Sequence, residues 1–337
     1  MADAHIQYHL LSGFNDPMLS PEAWAALQCK GSGHTVFMSW HWQKTWWEVF
    51  GRGKLLLILA VKNDEPVVIA PLFADGGMLF FVGSGGSDYL DFIGDTCGPQ
   101  IIKGLLQLAI ENTPGLLGCR FYHLHASSFT QQTLLTVAKQ LRWDCFDEGG
   151  IACPVLSIKD FPEKAKAATE KKSLLRHEAW FNRNGGIEVQ HYSHTNHILP
   201  HLDAFFEQHI ARWSSTPYPS LFLDPLQRRF YKRLCETASE TGWLRFTIVY
   251  WQQHAIAFHF GMYYNRSFLW YKPTFNIALS KHSPGEVLLR QLLLKAMEEE
   301  AEYFDFGLGD EAFKNRFASS TPTVTNIGLY PSKIIKY

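Results

Sequence analysis

The chain is short of several things at once. It has no long apolar run: its most hydrophobic stretches, such as residues 55–61, are of strand length, well under the roughly 20 residues a membrane helix needs. It has no excess of either charge, with 31 basic and 32 acidic residues and a net charge of −1, so nothing draws it generally to nucleic acid or an anionic membrane. Its six cysteines form no CxxC pair and read as reduced thiols of a cytosolic protein. There is no GxSxG elbow, no GxxxxGK[ST] loop and no HExxH pair, which removes the sequence signatures of serine hydrolases, P-loop enzymes and zincins. The first residues lack a basic stretch followed by an apolar one, so no signal peptide is read.

What is present is an ordinary globular composition: 337 residues, 46% hydrophobic and 19% charged, enough for one large or two smaller cores. Aromatics reach 15%, with eleven tryptophans, and supply core, pocket walls or both. The histidines at 191, 194, 197 and 201 lack metal-site spacing and a nearby cysteine, so no metal is expected.

The order of elements repeats. Residues 55–60, 67–73 and 78–82 read as three strands joined by turns at Asn63–Pro66 and Asp75–Gly77, then a Gly/Asp loop (83–98), a helix (99–112) and a strand (120–125). Residues 244–250, 255–261 and 267–272 repeat the three strands, followed by a polar loop, a helix from Gly285 to Glu300 and a strand from Tyr303. An aromatic helix precedes each set, at 40–50 and 225–240. Two copies of a unit this long mean duplicated domains rather than a solenoid; the expected division is 1–158 and 159–337. Hairpin-linked strands followed by helix and strand give a mixed α/β sheet flanked by helices.

Ser283, Pro284 and Gly285 stand at a helix start, where free N–H groups hold an anion. Pro284 has no N–H, so the expected donors are Gly285, Glu286 and Val287, with Ser283 and Lys281 beside them. The alternative is a plain capped helix. Asp305, after an apolar helix and before Gly307 and Gly309, suits a general base or a structural pairing with Lys314. In the first copy, Asp88, Tyr89 and Asp91 occupy the loop matching the Ser283 turn and are candidates for acceptor contact, as is Trp42. The basic residues between Lys164 and Arg183 form either a solvated helix face or a surface for phosphate or RNA.

Taken in order, these pieces resemble the GNAT-superfamily acyltransferases of the CelD-like type, associated with cellulose and exopolysaccharide biosynthesis and related in architecture to Fem-type aminoacyl transferases. The resemblance rests on Arg212-Trp213, Phe222 with Asp224-Pro225, Ile256-Ala257, Ser283-Pro284-Gly285, Leu288-Leu289, Asp305 to Gly307, Gly309 to Glu311 and Lys314. In the first half it rests on Phe37, Ser39, Trp42, Trp46-Trp47 and Asp88 to Phe92. It implies tandem GNAT-like domains, with a functional cleft on the second domain or between the two. The implied donor is acetyl-CoA or another acyl-CoA, and the acceptor a sugar-like, glycan-precursor or amine compound. It implies a donor site at Trp270, Lys272, Lys281, Ser283, Gly285, Glu286 and Val287, with Tyr271 as acid and Asp305 as base. Acceptor contacts fall to Trp42, Asp88, Tyr89, Asp91, Arg212, Trp213 and Lys314. A Fem-like transferase using aminoacyl-tRNA and a non-catalytic binding protein of the same fold remain the alternatives. Of the family's glycine-rich turn, this chain keeps only Gly285.

Overall fold

The computed structural model describes residues 6–31, 34–214 and 216–332, and the chain divides into two compact units. The first runs to Ile151 and regains the chain at Thr323; the second spans Ala152–Pro322. The division expected at 158 therefore falls seven residues earlier, and the last strand returns to the first sheet. Its short, half-buried run gave no periodicity strong enough to announce that.

The first unit is built from β1 (Ile6–Leu10), α1 (Pro21–Gln28), α2 (Trp40–Phe50), β2 (Lys54–Lys62), β3 (Glu65–Asp75), β4 (Met78–Phe81), β5 (Ile93–Gly94), α3 (Pro99–Glu111), β6 (Gly118–Leu124), α4 (Thr130–Leu141) and β7 (Trp143–Ala152). The second holds β8 (Val155–Ser157), α5 (Pro162–Thr169), α6 (Lys172–Arg183), β9 (Ile187–Tyr192), α7 (Thr195–Ile198), α8 (Leu202–Trp213), α9 (Pro225–Thr237), β10 (Leu244–Trp251), β11 (His254–Tyr264), β12 (Ser267–Phe275), α10 (Pro284–Glu298), β13 (Tyr303–Asp305) and α11 (Ala312–Asn315). The strand β14 (Thr323–Pro331) completes the first sheet.

Among the described residues the first sheet runs β1-β2-β3-β4-β6-β14-β7, with β5 beside β3, and the second runs β8-β13-β12-β11-β10-β9. The repeat is visible in both: β2-β3-β4-β6 and β10-β11-β12-β13 share one order, antiparallel except for a final parallel pair. The parallel pair follows from chemistry, because a helix (α3 or α10) carries the chain back across the sheet. The opening hairpins match as well. Asn63 and Asp64 (φ 53° and 62°), and Gln252 and Gln253 (φ 49° and 62°), all adopt the left-handed conformation that a two-residue hairpin turn requires.

Each sheet buries its own core. In the second unit, α10 lays Val287, Leu288, Leu292, Leu293 and Ala296 on Ala257, Phe268, Trp270 and Phe304 of the sheet. Phe205 of α8 and Tyr231 of α9 pack with Phe246, Phe258 and Phe260 on the opposite face. Truncating a fully buried leucine such as Leu292 to alanine costs about 2–5 kcal/mol. Arg290 locks α10 to α6 and α5 through Glu178 at 2.5 Å and the Thr169 carbonyl at 2.9 Å.

Candidate functional site

The two copies differ at their parallel pair. In the first, β4 is four residues long and pairs with β6 over three of them. In the second, β12 is nine residues long yet meets β13 only at Ser267, Phe268 and Leu269. From Trp270 onward β12 leaves its neighbour, and a cavity of about 220 Å³ opens there. Its apolar walls include Trp270, Leu288, Leu289, Phe313 and Phe317; its polar lining includes Arg212, Thr274, Ser280, Ser283, Gly285 and Glu286.

The free edge of β12 has a defined chemistry. Asn276 gives its N–H to the Ile256 carbonyl of β11, so by the two-residue period Thr274 and Lys272 also face β11, while Pro273 and Phe275 face the open side. Proline is tolerated there because an edge needs no N–H. Its carbonyl accepts from Arg212 Nη1 at 3.0 Å. The Phe275 N–H is then the donor this edge offers to an extended ligand. The register of β12 slips by one residue against β11 between Lys272 and Leu269, a bulge that carries Trp270 and Tyr271 to different surroundings. Trp270 lines the cavity, whereas Tyr271 lies at 6.3 Å from Tyr231 of α9, the rings stacked.

At the start of α10, Ser283 is left-handed (φ 53°) and caps the helix with no side-chain bond. Its carbonyl accepts from Glu286 N at 3.0 Å and Val287 N at 3.3 Å. This corrects the expected anion turn: two of its three donors close the first helical turn, and the Gly285 N–H is left. Val287 is fully buried in the core. A Cβ on Gly285 would lie 3.0 Å from Phe275 Cδ1, so glycine keeps this approach open. Glu286 borders the cavity with one carboxylate oxygen, Oε2, hydrogen-bonded to nothing; Arg316 at 3.3 Å offsets its charge, and His177 Nε2 lies 3.5 Å from Oε2. Lys281 is exposed beside the turn.

Arg212, on α8, reaches the same cavity. Its guanidinium lies 4.3 Å from the Phe275 ring centre, and no carboxylate among the described residues pairs with it; burial lowers its pKa to about 10. Trp213 stacks on His209. His209 is held neutral, its pKa lowered to about 3 by burial and then by Lys272 and Arg212. Lys272 sets its Nζ 3.9 Å from the Tyr271 ring centre.

Other expected residues are placed elsewhere. Asp305 accepts the Gly307 N–H at 2.7 Å and, like Tyr271, is not part of the cavity lining. Lys314 is 4% exposed and is spent on the Leu308 carbonyl (2.6 Å) and Glu311 (2.8 Å), so it clamps the 307–311 loop rather than an acceptor. In the first unit Trp42 is fully buried and gives its Nε1–H to Ser87, and Tyr89 is 2% exposed. Asp91 is buried under Ser128, Thr130 and the Phe92 N–H, its pKa raised by burial to about 6. These three are core and capping groups, which corrects their expected acceptor contacts; helical and loop position alone did not reveal burial. Asp88 is half-buried. The histidines on and just after β9 make local contacts, such as His191 with Thr247 at 2.8 Å, and no metal-holding cluster occurs among the described residues.

Thr274, Phe275, Phe313 and Phe317 were not expected to line the site. The strand pattern past Lys272 was the available signal, since an unbroken nine-residue strand outruns its three-residue partner.

With this geometry in hand, comparison is informative. Residues 169–315, within the second unit, match the family model described as acetyltransferase (GNAT) domain. No curated protein sequence matches the chain. Solved structures share the fold across nearly the whole length. FemX is 10% identical over 92% of this chain and 96% of its own, with a TM-score of 0.65. The C-terminal domain of a putative lysylphosphatidylglycerol synthetase from Agrobacterium fabrum is 13% identical over 93% and 91%, at 0.56. A tandem GNAT protein from the clavulanic acid biosynthesis pathway is 10% identical over 97% and 99%, at 0.53. At these identities the likeness is one of fold: two mixed sheets with helices in tandem-GNAT arrangement.

Proposed function

We propose that the second unit transfers an acyl group from an acyl-CoA to a small amine or hydroxyl acceptor. The observation that carries this reading is the parting of β12 from β13 after three residue pairs, which opens an apolar-walled cavity whose mouth is the start of α10. An acyl-thioester arm enters along the free edge of β12, where the Phe275 N–H pairs with it. Phosphate oxygens meet the Gly285 N–H, the Ser283 hydroxyl and Lys281, with Arg316 holding back the charge of Glu286. This is a thinner anion site than a glycine-rich turn, and it leans on cations more than on N–H donors.

Transfer is direct. The acceptor nitrogen or oxygen attacks the thioester carbonyl, the new bond to carbon forms as the C–S bond breaks, and the acceptor's proton leaves with sulfur as the free thiol. Alignment of the two reactants in the cavity supplies most of the acceleration. Asp305 and Tyr271 act at one remove, through the 307–311 loop and the β12 bulge.

A second reading, transfer from aminoacyl-tRNA, draws on α5 and α6, where Lys166, Lys172, Arg176 and Arg183 are exposed. Titration with acetyl-CoA and with tRNA at two salt concentrations separates the two, because RNA binding weakens steeply with salt.

A further inference from the structure

On the face of β12 turned to α8, the second unit gathers polar hydrogens that nothing in the protein accepts. Thr274 pairs across the ladder with Phe258, so both side chains share the face that Phe205 of α8 covers. The Thr274 hydroxyl is fully buried, lines the cavity and has no hydrogen-bond partner. Trp213 Nε1, one residue from Arg212, is buried and also without partner, but Trp213 is not among the residues that line the cavity. Arg212 uses one bond, to the Pro273 carbonyl, and faces no carboxylate among the described residues. A guanidinium has five N–H donors. A buried donor such as the Thr274 hydroxyl is costly unless a ligand completes it, and the guanidinium has donors to spare beside it.

We propose that this cluster reads a carboxylate on the acceptor, and that the acceptor is therefore a carboxylate-bearing amine. The proposal rests on the acyl-transfer reading of the same cavity and names its acceptor class. Donor geometry selects the group: the two oxygens of a carboxylate match the planar fork of the guanidinium. Phe275 under the guanidinium and the Trp213–His209 stack hold the fork in orientation. The neutral state of His209 beneath it leaves the local field to the cations.

The test uses the full chain and a panel of free amino acids, their matching amides and glucosamine 6-phosphate, titrated by calorimetry with and without acetyl-CoA. The expected result is binding of at least one amino acid about tenfold or more tighter than its amide. Thr274→Val, which replaces an unpartnered hydroxyl by a methyl and so preserves folding, reduces that preference several-fold. Arg212→Gln removes it and Arg212→Lys restores part of it. Equal binding of acid and amide, no binding by any amino acid, preference for the sugar phosphate, or a preference unchanged in Thr274→Val and Arg212→Gln overturns the proposal. Amino-acid preference without acetyl-CoA binding leaves it standing and removes the acyl-CoA reading instead.

Discussion

His259 Nε2 accepts the backbone N–H of Tyr271 at 3.2 Å. That N–H belongs to the β12 bulge, where the ladder of β11 has no partner for it, and a ring nitrogen takes the place of a carbonyl. The bond requires Nε2 to be bare; burial lowers the ring's pKa to about 3 and so keeps it neutral, which leaves one of its two nitrogens able to accept. The ring also stacks near Trp270 and Phe268, at 5.5 and 6.1 Å. Gly261 makes room for it, since a Cβ there would come within 2.1 Å of His259 Cε1. One buried side chain thus holds the bulge that turns Trp270 into the cavity.

Replacing His259 by phenylalanine keeps the ring and strands the Tyr271 N–H. We expect a loss of about 1–3 kcal/mol in unfolding free energy, measured by denaturant titration, and altered Trp fluorescence. His259→Gln, which supplies a carbonyl, recovers part of both. Equal losses in the two variants would mean that packing, not the hydrogen bond, is the contribution.

The same residues set the acid response. His259 and His209 have pKa values lowered to about 3, so between pH 6.5 and 3 the unfolded chain binds protons that the folded one does not, and stability falls as pH falls. Asp91 works the other way: its pKa is raised to about 6, so between pH 3.8 and 6 the folded state keeps a proton the unfolded state has lost. For these three groups alone, two protons against one leave a slope of about 1.4 kcal/mol per pH unit between pH 4 and 6, and the lowered pKa values of His125 and His191 add to it with the same sign. Asp91→Asn is expected to steepen that slope about twofold, and His259→Gln to flatten it. Chemical denaturation at several pH values measures both.

Gly285→Asp is expected to weaken acetyl-CoA binding at least tenfold while leaving the melting temperature within a few degrees. The new side chain crowds Phe275 and adds a negative charge to the turn beside Glu286. An unchanged affinity would make the turn a helix start and nothing more.

Asp305 accepts the Gly307 N–H. Asp305→Asn keeps an acceptor there, and turnover is expected to stay within about threefold, whereas removal of a general base costs about 10²–10⁴. A loss of that size would restore the role of base to Asp305.

Much of this was legible in the sequence, and the reasons are specific. The hairpins were readable because Asn63-Asp64 and Gln252-Gln253 interrupt strong apolar runs, and the repeat because both copies keep the same order of turns. The return of β14 was not, since a strand's partner is set by long-range packing that periodicity does not encode. At the site, Trp270, Ser283, Gly285 and Glu286, which the resemblance assigned to the donor, and Arg212, which it assigned to the acceptor, line one cavity. Trp42, Tyr89 and Asp91 did not join a site because burial is decided by the neighbours α4 and the 83–91 loop bring, and a lone sequence does not show which face of an aromatic helix is inside. Tyr271 was misplaced by a single-residue bulge, which reverses a strand's facing without changing its composition.

Calorimetric titration of the full wild-type chain with acetyl-CoA tests the central claim most directly. Saturable binding at one site, weakened by Gly285→Asp, is the predicted result. No binding at millimolar acetyl-CoA or longer acyl-CoAs, together with salt-sensitive binding of aminoacyl-tRNA, would contradict it.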